Sequence, residues 1–384
     1  MGRGSMQFLE VVQGAAVSET LTAWKQDHPK LGVLALVAED GCDLTIATLQ
    51  DHCSRAGVPL LGAVFPQLLC QGRFRPRGAL LLRLDTMPFA RTYGPLQATE
   101  QSTLEVVERL TADVVARLDT PRRSSLFLVF DALVANVATI LDEIYVRLAD
   151  GVHYLGVSAG SETFRALPCL FDGGARMENG VLAILLPDHP GAVAEHCYQA
   201  KDGMVSATDG NRIISIDWRP SFEVYRELVK ERFGVALDRE NFYRYAVHFP
   251  FGIMRASGEV VVRIPVALEA DGSLRCIGEV PHNALLSLLR APEGGSADTV
   301  DALSRGLRDL HGSLSGASLL AFYCAGRRQH LGELAQGELA ELGRRTDAGQ
   351  IGGALSLGEI GQTRQWGYPL FHNGAILCSR WSGP

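Results

Sequence analysis

Short, continuous apolar runs constrain the fold of this chain more than any other feature of its sequence. Such runs occupy residues 31–38, 59–65 and 78–84, and each is too short to cross a bilayer. A run of this length without polar alternation predicts a strand that is buried on both faces of its sheet. Residues 44–55 and 99–118 lie between or after these runs and carry apolar residues at helical spacing. Strands that alternate with helices predict an α/β layer.

The pattern of alternating strands and helices changes after Gly160. Up to that point, strands at 126–130 and 152–156 flank a predicted helix at 135–148. Beyond it, short apolar runs follow one another without long helices, which predicts an antiparallel meander with a two-residue turn at Asp209-Gly210. These runs are residues 180–186, 196–201, 204–208 and 213–217.

The rest of the chain again predicts alternating helices and strands. The predicted helices are 220–233, 297–314 and 329–345, and the predicted strands are 243–249, 260–268, 274–280, 318–324 and 351–357. A length of 384 residues exceeds what one hydrophobic core usually serves. We therefore expect a mixed α/β protein of two lobes, 6–217 and 218–384, each with a mainly buried mixed sheet flanked by helices. Residues 1–5 are expected to be a cloning remnant, and no internal repeat is visible.

Composition narrows the classes of function. The formal charge of −7 and the pI near 5.8 disfavour nucleic-acid and anionic-membrane partners, and no basic stripe with interleaved aromatic residues occurs. The eight cysteines are scattered and form no CxxC pair. This pattern is typical of reduced thiols in a cytoplasmic protein, and it argues against a zinc site built from cysteine pairs.

The C-terminal stretch, residues 350–379, carries the densest set of candidate site residues. Two apolar runs punctuated by glycine flank a segment that contains a glutamate, a histidine, an asparagine and three aromatic residues: Glu359, Trp366, Tyr368, Phe371, His372 and Asn373. This arrangement predicts a site on a loop held by two strands. A buried hairpin whose turn carries polar and aromatic side chains would give the same pattern.

Seven short segments, in order along the second half of the chain, resemble the FIST C domain of bacterial sensory proteins and of some F-box proteins. They are Gly210-Asn-Arg-Ile213 with Tyr225, His248-Phe-Pro-Phe-Gly252, Val262-Arg-Ile-Pro265, Gly278-Glu-Val-Pro281, Phe322-Tyr-Cys-Ala-Gly-Arg-Arg328, Gly358-Glu-Ile-Gly361 and Phe371-His-Asn373. Pro59-Leu-Leu-Gly62 and Tyr154-Leu-Gly-Val-Ser-Ala-Gly160 resemble the FIST N domain. Residues 62–69 differ from that family by replacing a small polar turn with an apolar one, which favours an apolar or flat ligand over a small polar one such as an amino acid.

In layout, the chain is similar to a branch of this family that senses nitric oxide through haem and regulates a partner histidine kinase or cyclic-di-GMP enzyme. The resemblance implies a haem cofactor, nitric oxide as ligand and a role in two-component signalling; a homodimer is compatible with it. Because the chain shows no output domain, a signal would have to leave through a partner protein.

Haem needs an axial ligand, an apolar slot and cations near its propionates. His372, among aromatic residues, is the first candidate for the iron ligand, and His248 is the second. The alternative for His372 is a core histidine hydrogen-bonded to Glu359 or to a backbone carbonyl. Cys324 and Cys378 could supply thiolates, although buried cysteines usually act as small hydrophobic residues.

Arg327 and Arg328 follow a glycine after a predicted strand, and they are the candidates for binding an anionic group such as a propionate. A surface pair that opens the next helix is an equal alternative. Trp366, Tyr368 and Phe371 would then complete the cofactor pocket. Arg263 lies inside a predicted strand and is expected to pair with an acid such as Glu279.

An enzyme is the less favoured class. Cys324, His372 and Glu359 could on paper form a nucleophile, a base and an orienting group. Residues 156–160 match the G-x-S-x-G pattern, but no clear helix follows them, and phosphate-binding or HExxH motifs do not occur. We therefore expect no catalytic activity, and two other readings stay open beside the haem sensor: a sensor of a non-haem small ligand such as an amino acid, and a protein-interaction module.

Overall fold

The computed structural model describes residues 4–96, 100–118, 124–200, 203–255, 258–292, 297–362 and 367–382. The protein is α/β with mixed sheets in two lobes, as predicted. The two lobes are not consecutive halves of the chain. One lobe, called the core lobe, comprises residues 6–195 and 298–380, and the other, called the inserted lobe, comprises the elements between residues 204 and 288.

The core lobe consists of three successive repeats that share the order of elements β-α-β-α-β-β-β-β, except that the third repeat has two helices in place of the second helix. The first repeat contains β1 (Met6–Leu9), α1 (Gly14–Asp27), β2 (Gly32–Ala38), α2 (Cys42–Ala56), β3 (Leu60–Phe65), β4 (Leu68–Cys70), β5 (Arg73–Arg75) and β6 (Ala79–Leu84). The second contains β7 (Ala90–Tyr93), α3 (Glu100–Val115), β8 (Ser125–Asp131), α4 (Val137–Leu148), β9 (His153–Ala159), β10 (Leu170–Asp172), β11 (Arg176–Met177) and β12 (Val181–Leu186).

The third repeat is interrupted by the inserted lobe after its first strand, β13 (Val193–Glu195). The inserted lobe contains β14 (Met204–Asp209), β15 (Arg212–Ile216), β16 (Arg219–Pro220), α5 (Ser221–Phe233), α6 (Phe242–Ala246), β17 (Phe251–Met254), β18 (Val260–Arg263), β19 (Pro265–Leu268), β20 (Leu274–Cys276) and β21 (Leu285–Leu288). The repeat then resumes with α7 (Asp298–His311), β22 (Ser318–Cys324), α8 (Ala325–Leu331), α9 (Leu334–Thr346), β23 (Gln350–Ser356), β24 (Glu359–Gly361), β25 (Leu370–His372) and β26 (Ile376–Arg380).

Each repeat builds one sheet and lends a hairpin to another. The three sheets have the strand orders β1-β6-β2-β3-β10-β11, β7-β12-β8-β9-β24-β25 and β13-β26-β22-β23-β4-β5. In every sheet the two central strands joined by a helical crossover are parallel, and the exchanged hairpin pairs antiparallel with the second of them. The exchange covers a strand edge that would otherwise be open, and it places the C-terminal hairpin β24–β25 in the sheet of the second repeat.

Apolar side chains from the three repeats meet between the sheets. Phe322 on β22 contacts Phe65 on β3 and Phe127 on β8, with ring centroids 5.7 and 5.9 Å apart. All three rings are almost completely buried. Full burial of one such side chain contributes about 1.5–3 kcal/mol, so the contact between repeats stabilises the whole core lobe.

The inserted lobe is built on one sheet of order β18-β17-β21-β14-β15-β20-β19, with β16 added to β15. Its two end strands, β18 and β19, are consecutive in the chain and are separated only by the buried Ile264. Helices α5 and α6 close one side through Tyr225 and Phe242, whose ring centroids are 6.1 Å apart. Among the described residues, no helix has the length and apolar character needed to cross a bilayer.

Several predicted elements differ in the structure. Residues 243–249 do not form a strand, since Phe242 and Ala246, four residues apart, face the core from helix α6. The described part of the strand predicted at 196–201, residues 196–200, contains no strand; His196 and Tyr198 lie in a connecting segment after β13, and Gln199 forms only an isolated bridge to Arg290. The turn between β14 and β15 consists of Gly210 and Asn211, one residue later than predicted.

Two further predictions were incomplete. The helix predicted at 329–345 is two helices, because Gly332 ends α8 at a positive φ of 58°. The strand predicted at 260–268 is divided into β18 and β19. The repeats were not visible in the sequence, because they share an order of elements rather than a residue pattern. The domain boundary predicted at residue 217 falls in the turn between β15 and β16, and it stays a prediction.

Candidate functional site

A cavity of about 410 Å³ lies between the two lobes. The core lobe contributes the start of α4 and the strand β25 to its walls. The inserted lobe contributes the β14–β15 turn, β17, β18 and residues 279–282. The cavity volume is within the range of small-molecule sites, about 300–1,000 Å³. A ligand in this cavity would therefore contact both lobes at once.

Arg263, the last residue of β18, is the buried cation of this cavity and is only 3% exposed. Its Nε donates to the backbone oxygen of Glu279 at 2.8 Å, and its Nη1 donates to the backbone oxygens of Phe371 at 2.8 Å and Val262 at 3.0 Å. Among the described residues, no carboxylate lies within salt-bridge distance of it. Burial lowers the pKa of Arg263 to about 10; the charge of Arg255 lowers it further, while Cys276 and Glu279 act in the opposite direction. The guanidinium therefore remains charged at neutral pH.

Arg255, just after β17, brings a second guanidinium to the cavity. It is exposed, and its guanidinium carbon lies 5.7 Å from the ring centroid of Tyr368. Tyr368 in turn donates its hydroxyl to Asp142 of α4, and its ring packs against Tyr145 with centroids 4.5 Å apart. This chain of contacts runs from the inserted lobe to the core lobe along the side of the cavity.

Glu279 ties the two lobes together at the start of α4. The residue before this helix, Asn136, makes no side-chain capping bond. Instead, the carboxylate of Glu279 accepts from the backbone nitrogen of Thr139 at 3.1 Å and from the Thr139 hydroxyl. The first N–H groups of a helix favour a carboxylate partner because they have no acceptor within the helix. A carboxylate of the inserted lobe therefore caps a helix of the core lobe.

The predicted C-terminal cluster lies on strands rather than on a loop. Glu359 on β24 and His372 on β25 are direct cross-strand partners, and both are buried. The Glu359 carboxyl group accepts from the Ser356 hydroxyl at 2.6 Å and from the Ala375 backbone nitrogen at 3.3 Å. Burial raises the pKa of Glu359 to about 8, so this carboxyl group is mostly protonated at neutral pH.

His372 is a core histidine whose two ring nitrogens lack hydrogen-bond partners among the described residues. Its ring centroid lies 5.9 Å from that of His196. Burial, followed by the neighbouring His196 and Arg263, lowers the pKa of His372 to about 3, so the ring is neutral at physiological pH. The expected hydrogen bond to Glu359 or to a carbonyl is absent from the described contacts.

The described residues do not form the catalytic arrangement of a cysteine nucleophile and a histidine base that the sequence allowed. The Cys324 sulfur accepts from the Gly374 backbone nitrogen at 3.0 Å, and burial raises the pKa of this thiol strongly. Among the described hydrogen bonds, His372 contacts neither Cys324 nor Glu359. Ser158, the serine of the G-x-S-x-G match, lies inside the buried strand β9 rather than on an exposed turn.

Arg327 is occupied entirely within the protein, which does not fit its predicted role in binding an external anion. It is 1% exposed and forms a two-bond ion pair with Glu338, through Nε at 2.8 Å and Nη2 at 2.6 Å. Its remaining donors reach the Thr299 hydroxyl and the backbone oxygens of His196 and Gly374. The five N–H groups of a guanidinium are thereby used.

The other predicted cofactor residues do not converge on one place. The Arg328 guanidinium lies over the Phe74 ring at 4.5 Å, and His248 is hydrogen-bonded through Nδ1 to Nδ1 of His330 at 2.7 Å. Phe371 lines the cavity between the lobes, and Tyr368 lines a groove beside it. Trp366 lies outside the described residues.

A haem would need an imidazole that faces a flat apolar slot. His372 is buried in the core, and among the described residues neither His372 nor His248 lines the cavity between the lobes, the groove beside it or either of two further pockets, one next to Cys324 and one next to His189. Within the described ranges, no three histidine, cysteine or acidic side chains are arranged to hold a metal ion. The residues predicted for haem therefore do not form a haem pocket in this arrangement.

Sequence reasoning missed the core-lobe side of the cavity. Thr139 and Asp142 lie on an ordinary amphipathic helix, where polar residues are expected on the solvent face. Arg263 did carry a signal, because a charged residue inside an apolar strand needs a reason to be buried. Its expected ionic partner was wrong: the Glu279 carboxylate turns to Thr139, and only its backbone oxygen meets Arg263.

Comparison with known protein families identifies two domains that together cover most of the chain. The FIST N domain matches residues 31–219, and the FIST C domain matches residues 221–362. No curated protein matches the chain significantly. FIST domains are sensory domains of signal transduction. The chain therefore belongs to the family of FIST domain proteins.

Proposed function

We propose that this protein is a cytoplasmic sensor that binds a small carboxylate-bearing ligand between its two lobes and reports the ligand to a partner protein. The observation that carries the proposal is Arg263, a buried guanidinium in the cavity without a carboxylate partner among the described residues. A buried charge without a counter-ion is costly, and a ligand carboxylate would offset that cost. Arg255 supplies a second cation at the same cavity.

The signal would arise because the ligand contacts both lobes. Glu279 and Thr139 already join the inserted lobe to helix α4 beside the cavity. A ligand that binds one lobe arrangement better than another shifts the population toward it, and only this difference in affinity can drive a change. The partner that the family resemblance implies is a histidine kinase or a cyclic-di-GMP enzyme.

The test is thermal unfolding in the presence of millimolar L-glutamate, L-leucine, succinate or pyruvate. Binding to the native state alone raises the unfolding temperature, so at least one of these carboxylates should raise it for the parent protein. Arg263→Gln and Arg255→Gln should lose the shift. Arg77→Gln is the matched control, since Arg77 is 71% exposed and pairs with Asp40 at the surface. The absence of any shift for all four carboxylates would refute the proposal.

Haem-dependent nitric oxide sensing is the second candidate. It is favoured by the two unpartnered nitrogens of the buried His372 imidazole, although the surroundings of His372 do not fit a porphyrin. Haem would supply an iron that binds nitric oxide. Absorbance spectra of protein produced with added haem precursor distinguish the candidates. A Soret band at one haem per chain that changes in His372→Ala would favour haem, and a flat spectrum after haem titration would exclude it.

A further inference from the structure

The cavity between the lobes opens into a groove of about 720 Å³. The cavity and the groove share wall residues from both lobes: Ile253, Arg255, Pro281, His282 and Leu370. A free amino acid or small dicarboxylate would fill only the cavity. The cavity and the groove together exceed the usual size of a small-molecule site, about 300–1,000 Å³.

The two ends of this continuous space differ in chemistry. The cavity end contains Arg263 and Arg255, two guanidinium groups suited to one carboxylate. Three carboxylates, those of Asp142, Asp209 and Glu279, line the same cavity, and two of them accept hydrogen bonds within the protein, Asp142 from Tyr368 and Glu279 from Thr139. The groove end presents apolar side chains, among them Met254, Leu285 and Tyr368. An occupant that fits both ends carries a terminal carboxylate followed by an apolar segment.

Exposed apolar residues continue the groove across the inserted lobe. Leu285 is 46% exposed, and its cross-strand neighbour Val205 on β14 is 42% exposed. Beyond Val205 lies the β15–β16 turn, where Trp218 is 88% exposed at a positive φ of 62°. A bulky residue in this conformation is strained and rare. The line from Arg263 to Trp218 is therefore a mainly apolar surface with two guanidinium groups at one end and the carboxylate of Asp217, which accepts from the Val205 backbone nitrogen, at the other.

We propose that this surface binds the C-terminal end of a partner protein as an extended peptide, with its free carboxylate at Arg263 and Arg255 and its apolar side chains in the groove. The proposal rests on the carboxylate site of the proposed function. The two guanidinium groups at the cavity end favour the carboxyl terminus of a peptide, and capture of this terminus is a recognised mode of peptide binding. Polar residues between the apolar ones, including His282 and Asn283, suit a peptide backbone better than a hydrocarbon chain.

The test uses two fluorescein-labelled pools of octapeptides with leucine or phenylalanine at the last position, one with a free carboxyl terminus and one amidated. Fluorescence anisotropy should show binding of the acid pool to the full chain, with at least tenfold weaker binding of the amidated pool. Leu285→Asp should lower the affinity for the acid pool at least tenfold. Leu44→Asp, on the exposed face of α2, is the matched control and should bind like the parent protein.

The outcomes separate this inference from the proposed function. Equal binding of the two pools, or binding that Leu285→Asp does not change, would overturn the inference. If N-acetyl-leucine bound in an Arg255-dependent way while the acid pool bound no more tightly, the carboxylate site would stand and the peptide surface would not. Preferential binding of decanoate would assign the groove to a fatty acid instead. If no carboxylate compound or peptide bound, both the inference and the proposed function would be overturned.

Discussion

Two buried arginines of this protein have opposite surroundings. Arg327 in the core lobe meets both oxygens of Glu338, a hydroxyl and two backbone oxygens. Arg263 in the inserted lobe donates only to backbone oxygens, and no described carboxylate lies within salt-bridge distance of it. The sequence suggested the reverse, with Arg327 as the anion site and Arg263 in an internal pair.

This difference in surroundings distinguishes an arginine that stabilises the fold from an arginine that can bind an anionic ligand. A buried ion pair is complete in itself, and losing one partner strands the other charge. A buried guanidinium held only by carbonyl oxygens keeps its net charge, so it can still gain from an anion that arrives from solution. Burial of an arginine therefore indicates a ligand site only where its counter-ion is missing and a cavity reaches it.

Arg327→Met is expected to have the largest effect on stability. The substitution leaves the Glu338 carboxylate buried at 9% exposure without its cation, which costs about 3–5 kcal/mol of unfolding free energy for a broken buried pair. Urea denaturation monitored by circular dichroism measures the change. The double variant Arg327→Met/Glu338→Met should recover part of the loss, since no stranded charge remains. A loss below about 1 kcal/mol for the single variant would mean that the pair is not what holds this region.

Arg263→Gln is expected to act mainly on ligand binding. A hydrogen bond to a charged group contributes about 1.5–3 kcal/mol, so affinity for a carboxylate should fall by at least tenfold. Calorimetric titration with a carboxylate that stabilises the parent protein measures this. Arg263→Lys retains the charge but not the fork of donors, and it should recover part of the affinity. If Arg263→Gln lost stability as heavily as Arg327→Met and kept its affinity, the contrast between the two arginines would be wrong.

Much of the fold was predictable because its strands are buried on both faces. The run that became β22 was predicted with its observed bounds, since six of the seven residues of Ser318–Cys324, all after the serine, are apolar and buried, and a helix follows. The repeats were not predictable, because hairpin exchange joins strands more than 100 residues apart, as in the pairing of β24 with β9. The aromatic residues of α6 are typical of strands, so the sequence predicted a strand there. The helix is evident only from the burial of Phe242 and Ala246 on the same face.

The site was only half predictable, for a related reason. Sequence spacing shows that Arg263 is buried, but not which acid reaches it. Glu279 lies 16 residues away from Arg263, yet its carboxylate is drawn to Thr139, 140 residues away, by the free N–H groups at the start of α4. Arg327 resembled an anion site because it follows a glycine, and its true partner lies on the next helix.

The contrast between partnered and unpartnered groups recurs on the β24–β25 hairpin, where it predicts a pH dependence. The folded pKa of Glu359 is raised to about 8, above the ordinary value of 4.5. Between these two pH values, the native state therefore binds more protons than the unfolded state. The contribution of Glu359 to stability is complete below about pH 4.5 and is lost as the pH rises toward 8. Glu359→Gln should flatten this slope, which is at most about 1.4 kcal/mol per pH unit for one group. Urea denaturation at pH 5, 6, 7 and 8 gives the measurement, and unchanged slopes in the variant would contradict the assignment.

His372→Leu is expected to have the smallest effect and the opposite pH sign. The imidazole is buried without described hydrogen-bond partners, so an apolar replacement of similar size should change stability at pH 7.5 by about 1 kcal/mol or less. The folded pKa of His372 is lowered to about 3, below the ordinary value of 6.5. Its contribution is therefore present above pH 6.5 and is lost as pH falls toward 3, because the unfolded chain takes up the proton first. Between pH 7.5 and pH 4.5, the free energy of unfolding should therefore fall less steeply for the variant than for the parent protein.

His28→Leu is the control, since His28 is partly exposed beside Asp85. A loss of several kcal/mol at pH 7.5 in His372→Leu would show that its two nitrogens have partners in solution, and would reopen the case for a ligand at this histidine.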